Sequence, residues 1–405
     1  MLSLTNKQTE FWKNANSRWN IKSGATRSGK TFLDYYLIPK RIRNVAGKDG
    51  LIVILGNTKG TLQRNIIEPL QNIWTPELVS DIKSDNTAMF FNEKVYCLGA
   101  DKVNQVDKLR GSSIKYCYGD EVVTWHEEVF TMLKSRLDKG YSMFDGTCNP
   151  EGPNHWFKKF IDNPNLNIFS QSYTIYDNPF NDSKFVAELE KEYEGTIFYD
   201  RYILGKWKHA EGIIYKRFAD NPERFEILRS KLPNLIEILI GVDFGGNGSK
   251  HAFVCSGIDA EYNLYALKSV SIPAAGTDVN DLINELICFV TICKNLYGII
   301  DGIYCDAAEQ TIINTIRNRL PEYSVYNSLK NEIIDRVRAL IILTGSDRFR
   351  YVKGENDALV EGISQAMWDS KSTDKDKRLD DGTTDIDILD AFEYSFEKNI
   401  YYFGR

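Results

Sequence analysis

The eight residues Gly24-Ala25-Thr26-Arg27-Ser28-Gly29-Lys30-Thr31 satisfy the pattern G-x-x-x-x-G-K-[ST] at every fixed position. No other stretch narrows the fold as far, because this pattern works only between a strand and a helix. Trp19 to Ser23 alternate apolar and polar and read as a short strand, and Phe32 to Ile38 read as a helix. The two glycines let the backbone turn so that successive N–H groups converge on phosphate oxygens. The helix N-terminus adds positive potential there. Ser28 lies in the cradling loop, Lys30 is placed for the β- and γ-phosphates of a nucleotide, and Thr31 for Mg2+.

Hydrolysis requires a second motif. Ile114 to Gly119 reads as a strand, interrupted by Lys115 and two Tyr, and it ends in Asp120-Glu121. Asp120 suits an orienting contact to Mg2+ through water, and Glu121 suits a general base for the attacking water. Leu51 to Gly56 reads as a buried parallel strand, Thr58 to Leu70 as a helix, and Lys94 to Gly99 as another strand. Met143 to Cys148 is a further strand leading to the Asn149-Pro150 turn. Thr147 and Asn149 emerge where a γ-phosphate sensor would stand, although ordinary turn chemistry uses the same residues. Gln8, just before the helix start at Phe11-Trp12, can read an adenine edge with donor and acceptor together, or be a plain surface residue. Arg110 has two readings as well: a guanidinium for a neighbouring subunit's γ-phosphate, or a surface arginine.

At 405 residues two domains are expected. No apolar run reaches membrane-spanning length, and Met1 to Lys7 lack the apolar core of a signal peptide. Seven scattered Cys without C-x-x-C spacing argue for a reducing cytoplasm and against a zinc site or disulfide framework. The net charge of −6 gives no global sign of nucleic-acid binding, but a local basic groove is compatible with it.

The expected division is a first domain over 1–205, a linker over 206–232 where charges and Pro222 mix without period, and a second domain over 233–405. Ile236 to Val242 is a strong strand ending in Asp243 and followed by glycines. Two more strands, Ala252–Gly257 and Tyr262–Val270, complete a meander. A helix over 278–296, a strand from Gly302 ending in Asp306, helices over 308–319 and 331–343, and a last helix over 385–394 follow. This is the ribonuclease-H-like order. It places Asp243, Asp306 and the last-helix pair Asp387 and Asp390 to converge, the latter two sharing a face at i, i+3. Crowded carboxylates need cations, and two Mg2+ or Mn2+ would both neutralise them and clamp a phosphodiester. Each Asp alone reads as a turn, cap or solvated face; the ordered set points to metal. Glu309, one turn beyond Asp306, reads as a surface residue, with a metal contact as its other reading; Asp385 reads as a helix cap; and Lys371 to Arg378 read as a solvated charged loop, with gating of DNA as the other reading.

These features, with His155-Trp156-Phe157-Lys158-Lys159, Leu204-Gly205-Lys206-Trp207 and Ala210 to Tyr215, resemble in order and spacing the large terminase subunits of tailed bacteriophages. The resemblance covers nearly the whole chain. It implies an α/β fold: a RecA-like P-loop ATPase domain of the additional-strand class, then an RNase H-like nuclease domain. It implies Gln8 on the adenine side, Arg27 as the basic residue near the phosphates, Arg110 as the trans arginine finger, and Thr147 as the start of the coupling motif. Asp243, Asp306 and Asp390 match the family's nuclease acids; some members carry His where Asp387 stands. The implied activity is ATP-driven translocation of double-stranded DNA into a procapsid and metal-dependent cutting of the concatemer. The implied partners are the small terminase subunit and the portal protein. The implied state is a ring on the portal, with many members monomeric alone, in the host cytoplasm and absent from the mature virion. Two rivals fit less of the sequence. A repair ATPase-nuclease would need a second set of phosphate motifs, and a nucleotide switch or scaffold would have no use for Asp243, Asp306 and Asp390 in order.

Overall fold

A computed structural model describes residues 4–103, 111–246, 249–372, 376–381 and 385–403. The chain divides into two compact units: residues 1–186 with 198–209, and residues 210–405 with 187–197.

The first unit is built on seven strands: β1 (Trp19–Gly24), β2 (Leu51–Gly56), β3 (Thr87–Phe90), β4 (Glu93–Gly99), β5 (Ile114–Gly119), β6 (Met143–Cys148) and β7 (Ile168–Tyr173). Their order is β3-β4-β2-β5-β6-β1-β7, parallel except for the β3–β4 hairpin. Strands β5, β6 and β1 lie side by side, so the loops after them open at one sheet edge, where ligands of open α/β sheets bind. Helices α1 (Asn6–Asn14) and α2 (Lys30–Val45) flank β1 in sequence. The helix expected over 58–70 is broken into α3 (Lys59–Leu62), a π turn (Gln63–Ile67) and α4 (Glu68–Trp74). Helix α2 runs past Pro39 instead of stopping there. Ile38, Ile42 and Val45 pack into the core cluster of β2 and β4, which outweighs the hydrogen bond that proline removes.

The alternation of β1 suggests one solvated face, but all six of its residues are buried. Its polar side chains have internal partners instead. Lys22 Nζ lies 2.7 Å from Asp34 Oδ1 and 4.2 Å from the centroid of the Phe11 ring. Asn20 Nδ2 donates to the carbonyls of Ser17 (2.8 Å) and Phe144 (3.3 Å). Lys115 of β5 likewise meets Glu93 at 2.8 Å, and Tyr118 OH donates to Asp34 Oδ2 at 3.1 Å.

The second unit has β8 (Glu226–Ile227), β9 (Leu235–Asp243), β10 (Lys250–Asp259), β11 (Leu264–Pro273), β12 (Gly302–Cys305), β13 (Val325–Asn327) and β14 (Phe349–Val352), in the order β13-β12-β9-β10-β11-β14-β8. Strands β9, β10 and β11 form the antiparallel meander, and β12 and β14 join its two sides in parallel. Its helices include α5 (Val279–Tyr297), α6 (Gln310–Arg319), α7 (Ile333–Gly345), α8 (Asp357–Gln365) and α9 (Ile386–Phe396). The stretch expected as a linker is folded: from residue 210 it belongs to this unit. Phe218 and Phe225 are fully buried there, 5.1 Å apart and both against Phe349, while Arg217 and Arg224 pair with Asp347. Elements of two to five residues are too short to leave a period in the sequence.

Gly241 sets the height of α9 over the sheet. A Cβ at this position would lie 1.8 Å from the Ala391 carbonyl oxygen and 2.7 Å from Ser395 N. The helix therefore rests directly on the backbone of β9, and Ser256 and Ser395 hydroxyls meet at 2.6 Å beside it.

Candidate functional site

The phosphate loop joins β1 to α2 as the motif requires. Gly24 approaches β7 so closely that a Cβ would fall 2.1 Å from the Tyr173 carbonyl oxygen, and Gly29 (φ +83°) caps α2 in left-handed backbone. Lys30 Nζ donates to the carbonyls of Gly24 (2.8 Å) and Ala25 (2.5 Å), to Ser28 Oγ (3.3 Å) and to Asn149 Oδ1 (3.1 Å). Burial pulls its pKa down, opposed by Glu121. Ser28 Oγ donates to the Ala25 carbonyl at 2.8 Å. Thr31 is half-buried in the first turn of α2, and Arg27 is exposed in left-handed backbone (φ 55°).

Gln8 is buried, and both ends of its amide are engaged inside the protein. Oε1 accepts from Thr5 N (2.9 Å) in the capping box of α1, and Nε2 donates to the Gly29 carbonyl (2.8 Å). In this arrangement Gln8 straps the loop instead of presenting a free amide edge.

Asp120 and Glu121 follow β5 directly. Asp120 accepts from Thr147 Oγ1 (3.2 Å) and from the Asn65 side chain, and its backbone N donates to the Leu55 carbonyl. Burial, with Glu121 and Asp34 nearby, pushes its pKa up to about 7. Glu121 stands in left-handed backbone (φ 48°) and accepts from Asn149 N (3.3 Å) and Nδ2 (3.2 Å). A chain of contacts therefore runs from Lys30 through Asn149 to Glu121, bringing the two motifs together. Arg110 lies outside the described residues.

Two supports of this site carry no local sign of that role in the sequence. Asn178 and Asn181 both donate to the Arg27 carbonyl (2.8 and 3.1 Å). Gly205 (φ +66°) backs the loop: a Cβ there would lie 2.1 Å from the Tyr173 carbonyl oxygen and 3.1 Å from Ala25 N, while Trp207 Nε1 donates to Ser23 Oγ at 2.9 Å. A Leu-Gly-Lys-Trp run gives no local hint of this role. Gly205→Ala is expected to lower stability by roughly 2–4 kcal/mol, from the left-handed backbone plus overpacking. It is also expected to raise the KM for ATP. Thermal unfolding and ATP turnover check both; an unchanged Tm and KM would refute the buttress.

In the second unit, Asp243 ends β9 and Asp306 follows β12, its parallel neighbour, with Asp306 N donating to the Val242 carbonyl at 2.9 Å. Helix α9 brings Asp387 and Asp390 over the same strand end. Burial and then Asp390, Asp306 and Asp387, in that order, push the Asp243 pKa up to about 8, so the four acids do converge electrostatically. Each of the other three is also drawn to a cation or N–H. Asp306 Oδ1 lies 2.6 Å from Lys330 Nζ. Asp387 Oδ2 accepts from Lys250 N at 2.7 Å. Asp390 meets Arg336 at 3.2 Å and is paired with Arg378. Among the described residues, no group of three His, Cys, Asp or Glu side chains stands closely enough to hold an ion in this arrangement. The donor set, all carboxylate oxygens around a group strained by its neighbours' charge, nevertheless suits hard divalent cations.

Asp385 caps α9 by accepting from Ile388 N at 3.2 Å, and Glu309 is exposed. The charged loop departs from its reading at Arg378, which is buried rather than solvated: it pairs with Asp390 and with Glu393 (2.8 Å), itself also held by Arg336 (2.9 Å). Two carboxylates, the buried Glu393 and the partly buried Asp390, supply what solvent otherwise would. Residues 373–375 of that loop lie outside the described residues. No helix among the described residues is long and apolar enough to cross a membrane.

Residues 21–221 match the family model described as terminase large subunit, T4likevirus-type, N-terminal. Among solved structures, the chain is similar to the large terminase from a thermophilic bacteriophage, with a TM-score of 0.83 at 22% identity, over 98% of this chain and 100% of that chain. Structures of the same phage protein in complex with ADP (TM-score 0.80, 23% identity) and with ATP-gamma-S (0.79, 22%) align over the same shares. At this identity the likeness establishes a shared fold. No curated protein matches the chain.

Proposed function

We propose that this chain, a member of the terminase large-subunit family by its residues 21–221 and by its fold, is an ATP-driven motor that translocates double-stranded DNA into a procapsid and cuts it with its second unit. What carries the reading is one pairing: a phosphate loop linked through Asn149 to Glu121, in the same chain as Asp243 crowded by three further acids.

In the first unit, read as a RecA-like ATPase of the additional-strand class, Thr31 and Asp120 would hold Mg2+ with ATP. Phosphate oxygens compete with the Gly24 and Ala25 carbonyls for Lys30, and this frees Asn149 from Lys30. Glu121 then accepts the proton of the attacking water. Gln8 reaches the adenine side by giving up its bonds to Thr5 N and the Gly29 carbonyl, Arg27 lies near the phosphates, Thr147 couples γ-phosphate loss to motion, and Arg110 acts in trans on a neighbouring subunit.

In the second unit, read as RNase H-like over about 233–405, Asp243, Asp306 and Asp390, with Asp387, would hold two Mg2+ or Mn2+, which would supply charge neutralisation and an activated water. Asp243, whose ionised form burial and its acidic neighbours disfavour, is the carboxylate whose charge such cations would offset. DNA is held through phosphates, so binding is salt-sensitive. Site choice falls to the small terminase subunit, and the portal protein seats a ring of these chains in the host cytoplasm.

The test uses the full chain. ATP turnover is measured with and without double-stranded DNA, and nicking of supercoiled plasmid with Mn2+ or EDTA. The expected result is DNA-stimulated turnover and nicking that EDTA abolishes. ATP turnover indifferent to DNA, together with no metal-dependent cleavage, would leave only a nucleotide-binding fold and overturn the motor-nuclease reading.

A further inference from the structure

Lys330 belongs to none of the motifs, yet it is the cation set against Asp306. It lies in the turn after β13, in left-handed backbone (φ 51°) that a lysine rarely adopts. The buried carboxylate of Glu397 holds that turn: it accepts from the backbone N–H groups of Leu329, Lys330 (3.3 Å) and Asn331 (3.3 Å). Ser328 N donates to the Cys305 carbonyl at 2.7 Å, tying the turn to the residue before Asp306. The backbone is thus fixed, and the side chain on it is not enclosed: Lys330 remains 50% exposed while its Nζ sits 2.6 Å from Asp306 Oδ1. Its charge also reaches Asp243, where it opposes the three neighbouring acids.

Arg336 and Arg378 differ in kind. Both are buried and both are shared with Glu393, which makes them part of the scaffold beneath Asp390. Among the described residues, Lys330 has its ion pair with Asp306 alone. A half-exposed ammonium on a flexible stem, anchored at a strained but pinned Cα, can exchange one anion for another without moving the backbone.

Resting on the nuclease reading above, we propose that Lys330 is the site's exchangeable cation. It neutralises Asp306 while no divalent ion is bound, and it passes to a non-bridging oxygen of the DNA phosphate when ions take the carboxylates. Two consequences follow from charge alone. Without DNA, Lys330 competes with the metal for the same Asp306 oxygen, so removing it tightens metal binding. With DNA, it stabilises charge on the phosphate, so removing it slows cleavage.

The experiment measures Mn2+ affinity of the DNA-free full chain by titration, and plasmid nicking at saturating Mn2+, for wild type, Lys330→Ala and Lys330→Gln. Gln keeps most of the stem and serves if Ala impairs folding, which thermal unfolding reports. The expected result is Mn2+ binding about 3–10-fold tighter in both variants, with kcat for nicking about 10–100-fold lower and a smaller change in KM for DNA. A purely structural lysine would weaken both readouts together. Unmoved or weaker Mn2+ affinity, or wild-type nicking, overturns the proposal while leaving the nuclease reading intact. A wild-type chain that neither binds Mn2+ nor nicks overturns the nuclease reading and this proposal with it.

Discussion

Replacing Asp243 by Asn is expected to lower metal-dependent cleavage by at least about 10³-fold and to make the metal-free protein more stable at neutral pH. The two effects have one cause. Burial of the Asp243 carboxyl at the end of β9, and then the charges of Asp390, Asp306 and Asp387, push its pKa up from 3.8 to about 8. An acid whose folded pKa lies above its unfolded pKa binds its proton more tightly in the folded chain, so stability falls as pH rises between the two values. The penalty is absent below about pH 4, grows through neutrality and levels off above about pH 8. A tenfold change in proton affinity is worth about 1.4 kcal/mol, so the penalty at pH 7 is on the order of a few kcal/mol. Asn carries no such penalty. Unfolding scans of both proteins in EDTA from about pH 4 to about pH 9 should show Asp243→Asn ahead at neutral pH and the two curves merging at the acid end. Equal stability at all pH values would mean that neither burial nor the neighbouring carboxylates hold the Asp243 pKa up in the folded chain. Added Mn2+ should raise the Tm of wild type alone.

Glu121→Gln is expected to lower ATP turnover by about 10²–10⁴-fold, the range for losing a general base, while leaving nucleotide affinity within a few-fold. Glu121 accepts from both nitrogens of Asn149 and makes no hydrogen bond to Lys30 or the loop backbone. Gln preserves the shape but cannot take a proton from water. Its amide N must also avoid facing one of two N–H donors, so a small loss of order at Asn149 is expected. Phosphate release under steady state and titration with a fluorescent ADP analogue separate the two quantities. Hydrolysis at the wild-type rate would move the base elsewhere. The left-handed backbone at Glu121 (φ 48°) is strain of the kind held at functional sites, and it brings the carboxylate to Asn149.

What could be read in the sequence is what is local. The phosphate loop is legible because eight consecutive residues carry all of its chemistry. Asp243 and Asp306 are legible because one ends a strand and the other directly follows one, and their strands prove to be parallel neighbours. What could not be read depends on partners far along the chain. Lys22 looks like a solvated residue until Asp34 is set beside it, and Arg378 sits in a run of charges whose exposure is the natural expectation. Strand β7 is hidden because Ser170, Gln171 and Ser172 dilute its apolar content; it forms by pairing with β1 at the sheet edge. Strands β13 and β14 have only three and four residues, too few for a period to show. Gly205 and Gly241 are silent in sequence, since what makes them necessary is a backbone from another element lying where a Cβ would stand.

The division of the chain has a consequence for anyone cutting it. The polypeptide leaves the first unit after residue 186, returns at 198 and leaves again after 209. The piece it lays down in the second unit on the way is held there: Arg338 Nε donates to Tyr193 OH at 2.9 Å, and Gly345 lies so close that a Cβ would come within 2.6 Å of the Glu192 Cα. No single scission therefore yields two whole parts. A fragment beginning at 206 or 210 is missing a stave, and the partner fragment carries that stave with nothing to set it against. The two units are spliced in sequence, and a faithful separation requires a rejoined chain that supplies 187–197 to the second unit by a new connection.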